Sequence, residues 1–363
     1  MIRVTFVSYD DVPALGGQGR MLDELRRGLR ARGHDVTTIA GRGENALRYP
    51  VRTGRAPLDF SLFLRRHPAL LTRAAPDLVH IFGGPGGVLF DRPLPVPVVY
   101  HAHHTYRQAH GRRSLKRLMS PVEARVYRRA ARVLAVSRST ALAVEAMRVP
   151  AHRIAVVPTG VEVSNEAKRE AEPKRVLFVG RLEPEKGVLD AVSVMASLVR
   201  TRPDVEGRIV GSGRLEQVVR ERARRTPRMA LLGAVDQPAL EEEYARAALL
   251  VMPSRYEGLG RTALEAQAAG TPVVGYDVTG LRDAVGEGGV LVPAGDVAAL
   301  RVACVDLLDD PARRASLGAR GREFVRRQYA PAAILDCLEH IYADVLKERP
   351  RVDSRPERPP ESP

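Results

Sequence analysis

The chain has 363 residues, 44% of them hydrophobic, with two cysteines and a formal net charge of +14. That length accommodates two α/β domains with separate cores. The absence of any apolar run of spanning length excludes a helical membrane protein, and Cys304 and Cys337 alone exclude a disulfide framework or a cysteine–histidine zinc cluster. The positive charge would permit nucleic-acid or anionic-membrane binding. However, arginine greatly outnumbers lysine and the cations are scattered among acids, which points to an Arg/Ala/Val bias of a GC-rich bacterial source. No nucleic-acid partner is expected.

The opening MIRVTFVSYD reads as a first strand over residues 2–8 and lacks the basic start and long apolar stretch of a signal peptide. A cytoplasmic protein is expected. The turn-prone Asp10 to Pro13 follows, and Gly16-Gly17-Gln18-Gly19 opens an amphipathic helix with Met21, Leu22, Leu25 and Leu29 on one stripe. Residues 33–39 return as strand two. The glycine loop lacks the full G-x-G-x-x-G spacing, and no suitably placed acid follows strand two, so a dinucleotide site is disfavoured. Residues 47–75 are basic and irregular, with short helices around 60–66. A buried strand over 76–83 ends at a glycine loop, and the strand 96–100 runs into His101, His103 and His104. The H-x-H spacing suits a metal, but no Asp, Glu or Cys partners it nearby, so no metal is expected.

The segment 107–132 is densely basic through Arg107, Arg112, Arg113, Lys116, Arg117, Arg125, Arg128, Arg129 and Arg132. It is either a contact for an anionic acceptor or the inner membrane face, or a solvated helix face. Residues 120–131 read as a helix and 132–137 as a strand. Arg138-Ser139-Thr140 then caps a helix over 141–147, and the last strand of this half, 153–158, leads into Thr159 and Gly160.

Residues 164–174 are polar and without apolar rhythm, as an interdomain linker should be. Periodicity resumes with strands over 175–179, 208–213 and 229–235 and a helix over 240–248. Residues 252–272, MPSRYEGLGRTALEAQAAGTP, have the most chemical content. An apolar strand, 247–252, ends at Pro253. A loop with Ser254, Glu257, Gly258 and Gly260 follows, then a helix with Leu264, Ala268 and Ala269 on one face, then the strand 272–276. In such strand–loop–helix–strand units of a parallel sheet, ligands sit beyond the carboxyl ends of the strands. Glycine amides and a helix start suit a phosphate, and Glu257 and Glu265 suit sugar or ribose hydroxyls, which together suggest a nucleotide sugar. A final strand (288–292), helices over 296–308, 311–328 and 329–347, and a proline-rich disordered tail over 348–363 complete the chain.

Glu257-Gly258-Leu259-Gly260 through Glu265-Ala266, with Gly270-Thr271-Pro272-Val273-Val274 behind it, resembles the E-x7-E signature of retaining GT-B glycosyltransferases, most of all family GT4. Gly180-Arg181 through Lys186-Gly187 is similar to that family's G-R-x-x-x-x-K-G loop. The resemblance implies an α/β, GT-B fold of two facing Rossmann-like domains. An acceptor-side domain would cover 1–163 and a nucleotide-sugar domain 175–328, with the terminal helix crossing back to the first. The implied reaction is retaining transfer of a hexose-type sugar from a nucleoside-diphosphate sugar, with UDP expected, to an acceptor hydroxyl. Neither metal nor cofactor is implied, the nucleotide sugar being a co-substrate.

On that resemblance Arg181 and Lys186 hold the diphosphate, Glu265 the ribose and Glu257 the donor sugar. The amides of Gly258, Leu259 and Gly260 surround sugar and phosphate, Gly180 lies near the phosphates, Gly16 and Gly17 lie near the donor phosphates or the acceptor, and the backbone near Val235 holds the base. His103 contacts the reacting sugar, with His101 as runner-up, while His101, His104 and Tyr106 shape the acceptor pocket. Thr159 replaces a usual asparagine, and Gly280 and Asp283 stand where a Gly-Gly turn and a glutamate are usual. The alternatives are a non-catalytic basic binding module of the same fold, another nucleotide-sugar enzyme such as an epimerase, and an NAD(P)-dependent oxidoreductase.

Overall fold

The structure, a computed structural model, describes residues 1–12, 16–53, 55–84, 86–109, 114–163 and 174–348. Pro13, Arg112, Arg113, the expected linker over 164–173 and the tail over 349–363 lie outside the described residues, as does the Lys116 side chain.

Two six-stranded parallel sheets form the molecule. The first takes β1 (Arg3–Asp10), β2 (Asp35–Arg42), β3 (Leu78–Gly83), β4 (Val98–Ala102), β5 (Arg132–Ala135) and β6 (Ile154–Val156), ordered β2-β1-β3-β4-β5-β6. Its helices are α1 (Gly17–Ala31), α2 (Ala56–Arg66), α3 (Tyr106–Ala109), α4 (Ser120–Arg129) and α5 (Arg138–Glu145). The second takes β7 (Lys174–Val179), β8 (Val205–Val210), β9 (Met229–Gly233), β10 (Ala247–Met252), β11 (Val273–Tyr276) and β12 (Gly289–Val292), ordered β12-β11-β10-β7-β8-β9. Around it lie α6 (Val188–Thr201), α7 (Glu216–Arg224), α8 (Gln237–Arg246), α9 (Arg261–Ala268), α10 (Leu281–Val285), α11 (Val297–Asp309) and α12 (Pro311–Gln328), and α13 (Pro331–Lys347) closes the described chain.

The strands form where the sequence is continuously apolar because helices cover both faces of each sheet; all six residues of β10 are buried. In the second sheet the strand order reverses between β7 and β10, so their carboxyl ends frame a crevice. Glycine lets the loops at that edge stack backbone on backbone. A Cβ on Gly187, which has φ +65°, would lie 1.9 Å from the Pro253 carbonyl oxygen, and one on Gly211, at φ +134°, would lie 1.9 Å from that of Gly180.

One apolar cluster runs from Phe6, Leu22 and Phe82 of the first domain through Leu338 and Tyr342 of α13 to Leu250 and Leu264 of the second. The terminal helix therefore crosses back and is tied down there. Arg32 pairs with Asp336 and Glu339, each at 2.6 Å. His34 accepts from the Ile2 amide at Nδ1, so its Nε2 donates to Glu339, 2.6 Å away. The Tyr342 hydroxyl meets His80 Nδ1 at 2.5 Å inside the core.

Two sequence expectations need correction. Helix α5 begins at Arg138, and its N-cap is Ser137, whose Oγ accepts from the Thr140 amide at 3.1 Å; Arg138, Ser139 and Thr140 are its first turn, not its cap. Helices α6, α7 and α10 were not among the expected elements, and Lys174, expected in the linker, opens β7. Among the described residues no helix is long and apolar enough to cross a membrane.

Candidate functional site

The crevice at β7 and β10 gathers the C-terminal candidates. After β7, Gly180 turns at φ +157°, and a 3-10 turn over Pro184–Lys186 delivers Lys186. After β10, the loop delivers Glu257, and Lys186 Nζ stands 2.6 Å from Glu257 Oε1. The Lys186 side chain is 23% exposed and that of Glu257 8%. Arg181 is the looser cation, 55% exposed and 3.4 Å from Glu185 of its own loop. Gly260, at φ +88°, is the left-handed N-cap of α9, and Glu265 is buried one turn into that helix.

Glu265 is already engaged. It accepts from the Tyr244 hydroxyl at 3.0 Å and from Arg261 Nε at 2.7 Å. A cleft of about 1150 Å³ between the domains is lined by Val235 and Glu265 together with Arg20, Glu24, Gln237 and Arg261. Lys186, Glu257 and Gly258 do not line it. They form the adjoining group, over which the first domain is folded.

The N-terminal candidates come from β4 and α1. His80 and Phe82 on β3 and His101 and His103 on and beyond β4 share one sheet face, as the alternation of side chains requires, with Phe82 registered on His101. Their rings stack: His80 to His101 at 5.3 Å, and His101 to His103 at 5.5 Å. His101 meets the Val157 carbonyl at 2.9 Å through Nε2. A carbonyl only accepts, so the His101 proton is on Nε2. His103, nearer the cleft and partly exposed, leaves its Nε2 buried without a partner among the described residues. His104 lies 5.8 Å from the Tyr256 ring across the domain boundary. Tyr106 is placed differently: it packs against the cluster of the opposite sheet face, and its amide donates to buried Glu123 at 3.0 Å. Gly16 caps α1, and nothing lies within 4 Å of a Cβ built on Gly16 or Gly17. Among the described residues no group of three His, Cys, Asp or Glu side chains could hold a metal ion.

Burial lowers the pKa of all three stacked histidines, to about 4 for His101, with the bond to Val157 opposing. His80 and His103 are pushed well below the usual value, neighbouring imidazoles adding to burial. In the unfolded chain these groups take up protons near pH 6.5 and in the native state they do not, so stability falls as pH drops below 6.5 toward 4. His101 alone would contribute a loss of about 3 kcal/mol by pH 4. Glu123 acts oppositely: burial raises its carboxyl to about 7, so it is protonated first in the native state and offsets one histidine between pH 7 and 4.5. Urea or thermal melts should therefore show stability declining below pH 6.5, with the decline reduced in His101→Phe; a flat profile would show the imidazoles to be hydrated.

Several residues that the sequence reading did not assign join the two sides. Arg261 donates through Nη2 and Nη1 to Glu24 at 2.5 and 2.8 Å and through Nη1 to Thr159 Oγ1 at 2.9 Å. Ser137 Oγ donates to the Gly258 carbonyl at 2.7 Å, and Asp283, at the position where a glutamate is usual in the resembled family, accepts from the Ser139 amide at 2.8 Å. A Cβ on Gly258 would fall 2.0 Å from the His103 carbonyl oxygen. Of the basic segment, Arg125 pairs with Asp91 at 3.3 Å and Arg132 with Glu348. Arg129 donates to the Asp91 carbonyl at 2.5 Å.

Two facing parallel sheets, with a charged, glycine-lined crevice on one and a histidine layer on the other, define a two-domain transferase of the GT-B class. Residues 15–165 match the family model described as Glycosyltransferase Family 4, and residues 173–310 match Glycosyl transferases group 1. A glycogen synthase of Mycobacterium tuberculosis is 30% identical over 378 residues, spanning 88% of this chain and 90% of that protein. A GDP-mannose-dependent monoacylated alpha-(1-6)-phosphatidylinositol monomannoside mannosyltransferase of Corynebacterium glutamicum is 33% identical over 218 residues, 54% of this chain and 56% of that one. Among solved structures, Anabaena HepE in complex with UDP-glucose superposes with a TM-score of 0.73 at 17% identity, covering 95% of this chain and all of that one, a likeness of fold. The chain belongs to glycosyltransferase family 4, the glycosyl transferases group 1, and is a glycosyltransferase enzyme.

Proposed function

We propose that the chain transfers a hexose-type sugar from a UDP-sugar to an acceptor hydroxyl with retention of configuration and without a metal ion. The observation that carries this reading is the Lys186–Glu257 pair at the β7/β10 crevice, at 2.6 Å. A lysine that can reach both a carboxylate and a bound diphosphate supplies the compact positive charge that a departing diphosphate needs. Lysine is scarce here, five residues against 52 arginines, so its use at this point is not a by-product of composition. Arg181, which among the described residues has a 3.4 Å contact to Glu185, is available to swing onto the same phosphates as a bidentate donor.

In this scheme Glu257 accepts from donor-sugar hydroxyls and Glu265 from ribose hydroxyls, and the base lies toward Val235. The acceptor hydroxyl attacks the anomeric carbon on the face from which the diphosphate departs. A leaving-phosphate oxygen takes its proton, so no protein nucleophile is used. The neutral imidazole of His103 is a hydrogen-bonding group toward the reacting sugar at that mouth.

The test is a thermal-shift and donor-hydrolysis panel of UDP-, GDP-, TDP- and ADP-sugars with EDTA throughout, which spans the different donors in the names of the similar proteins. Stabilisation by UDP-sugars, with slow metal-free hydrolysis, is expected. A shift with GDP- or ADP-sugars alone would overturn the UDP assignment, and hydrolysis only on adding a divalent cation would overturn the metal-free mechanism.

A further inference from the structure

Several polar contacts join the domains, and among them the one centred on Arg261 carries charge on both sides of the cleft. Arg261 is the first residue of α9 and is only 18% exposed. A cation at a helix N-terminus opposes the helix dipole, so something else must hold it there. Its guanidinium is shared: Nε goes to Glu265 on its own helix, and both terminal nitrogens go to Glu24 on α1, with Thr159 as a third acceptor. Thr159 in turn donates to Glu24 at 3.3 Å. Arg20, one turn before Glu24, lies 3.9 Å from Glu265 and 3.5 Å from Gln237. Hydrogen bonding to Glu24 and the charges of Glu265 and Glu24 raise the Arg261 pKa against the lowering effect of burial, so the cation is permanent.

Glu24 and Glu265 therefore stand on opposite sides of the cleft with the Arg261 guanidinium bonded to both, and Arg20 of the first domain reaches Glu265 only at 3.9 Å. With Arg261 in place the domains are drawn together; without it the like charges of Glu24 and Glu265 would oppose closure. The donor-binding candidates Arg181, Lys186, Glu257 and Glu265 all belong to the second domain, whereas His103 belongs to the first.

We propose that the Glu24–Arg261–Thr159 contact is a closure clasp, and that Glu24 and Arg261 are positioning residues that bring the acceptor side onto the bound donor. This rests on the nucleotide-sugar reading of the crevice for its effect on turnover, but not for its effect on domain arrangement. The contact is more than a surface ion pair, because Arg261 forks onto one carboxylate and uses its remaining N–H on a second, with little exposure.

The test uses the full chain with Glu24→Gln, Arg261→Met, and Arg261→Met combined with Glu24→Met. Without any ligand, small-angle scattering should give a larger radius of gyration for Arg261→Met than for the parent, and the double variant should recover part of the difference. With donor and acceptor, or by donor hydrolysis, Glu24→Gln should lower kcat about tenfold to a hundredfold. Nucleotide affinity by calorimetry should change less than kcat, since Glu24 reaches the ribose candidate Glu265 only through Arg261. Melting temperatures identify any variant that loses its fold, and the conservative Glu24→Gln keeps the comparison available. Unchanged scattering for both single variants would overturn the clasp. So would unchanged kcat in Glu24→Gln, or an Arg261→Met defect that the second substitution makes worse. A parent protein that binds no nucleotide at all would instead overturn the donor-site reading, and the ligand-free scattering would still decide the clasp.

Discussion

Lys186→Ala is expected to lower kcat/KM for donor breakdown by about 10²- to 10³-fold, or roughly 2.7–4 kcal/mol of transition-state stabilisation. The position is fixed from below by backbone packing: Gly187 cannot take a side chain against the Pro253 carbonyl, so the preceding lysine has little freedom to leave the crevice. Its 2.6 Å contact with Glu257 makes it the better-placed of the two candidate phosphate cations. Arg181→Ala should cost less, because that side chain is more than half exposed and must reorganise to reach a ligand. Lys186→Arg should not restore the rate, since a planar fork replaces a compact charge. Removing the lysine leaves Glu257 as a nearly buried carboxylate without its cation, a destabilisation of about 1–3 kcal/mol. The measurement therefore includes Lys186→Ala combined with Glu257→Gln, which relieves that charge without returning the phosphate contact. Near-parental donor hydrolysis in Lys186→Ala would sink the assignment of Lys186 to the diphosphate.

How much of this was legible in the sequence follows from the range of the interactions involved. Parallel strands covered on both faces leave continuous apolar runs, so β7, β10 and β11 could be read directly, and with them the loop and helix bearing Glu257 and Glu265, whereas Lys186 was singled out by the resemblance of its loop to the family's. Helix α6 was not expected, although its buried Val188, Ala191, Val192, Met195, Leu198 and Val199 recur at three- and four-residue spacing, with Asp190, Ser193, Ser197 and Arg200 between them, so its period is legible in the sequence. Helix α7 escaped because EQVVRERAR buries only Val219 and Ala223. The start of α5 was misplaced because Ser139 and Thr140 are also good caps, and only the bond from the Thr140 amide to Ser137 decides between them.

The pairing of the cross-domain contacts was not legible. Arg261 and Glu24 are 237 residues apart and Ser137 and Gly258 are 121 apart, and no local period encodes such a pairing. One signal was present: an arginine in the first turn of α9, where a helix favours acids. Thr159 and Asp283, departures from the resembled family's usual residues, proved to be contacts between domains. Tyr106 was grouped with the acceptor histidines by proximity in sequence, but the turn after β4 sends it to the opposite face of the sheet.

Gly258→Ala should strongly impair turnover while sparing most of the folding stability. The sequence reading gives Gly258 a donor-facing amide, but its surroundings impose a second requirement. Its carbonyl accepts from Ser137 Oγ at 2.7 Å and more distantly from Thr140 Oγ1 at 3.4 Å. Its missing Cβ would lie 2.0 Å from the His103 carbonyl oxygen and 3.5 Å from His104 Cβ. The first contact is with backbone, so no rotamer change relieves it; the loop must retreat from the end of β4 or the domains must part. Either movement separates Glu257 from His103. A misplacement of about 1 Å in an aligned site costs on the order of 10² in rate, so kcat should fall by that factor. Folding stability should fall by only about 1–3 kcal/mol, as for other overpacked sites, because opening the cleft relieves the clash without disturbing either sheet. Nucleotide affinity should be retained if the movement is between domains and lost if the loop itself retreats, so calorimetry with the nucleotide separates the two routes. A Gly258→Ala enzyme with parental kcat would mean that the His103–Gly258 approach is not required at the moment of transfer.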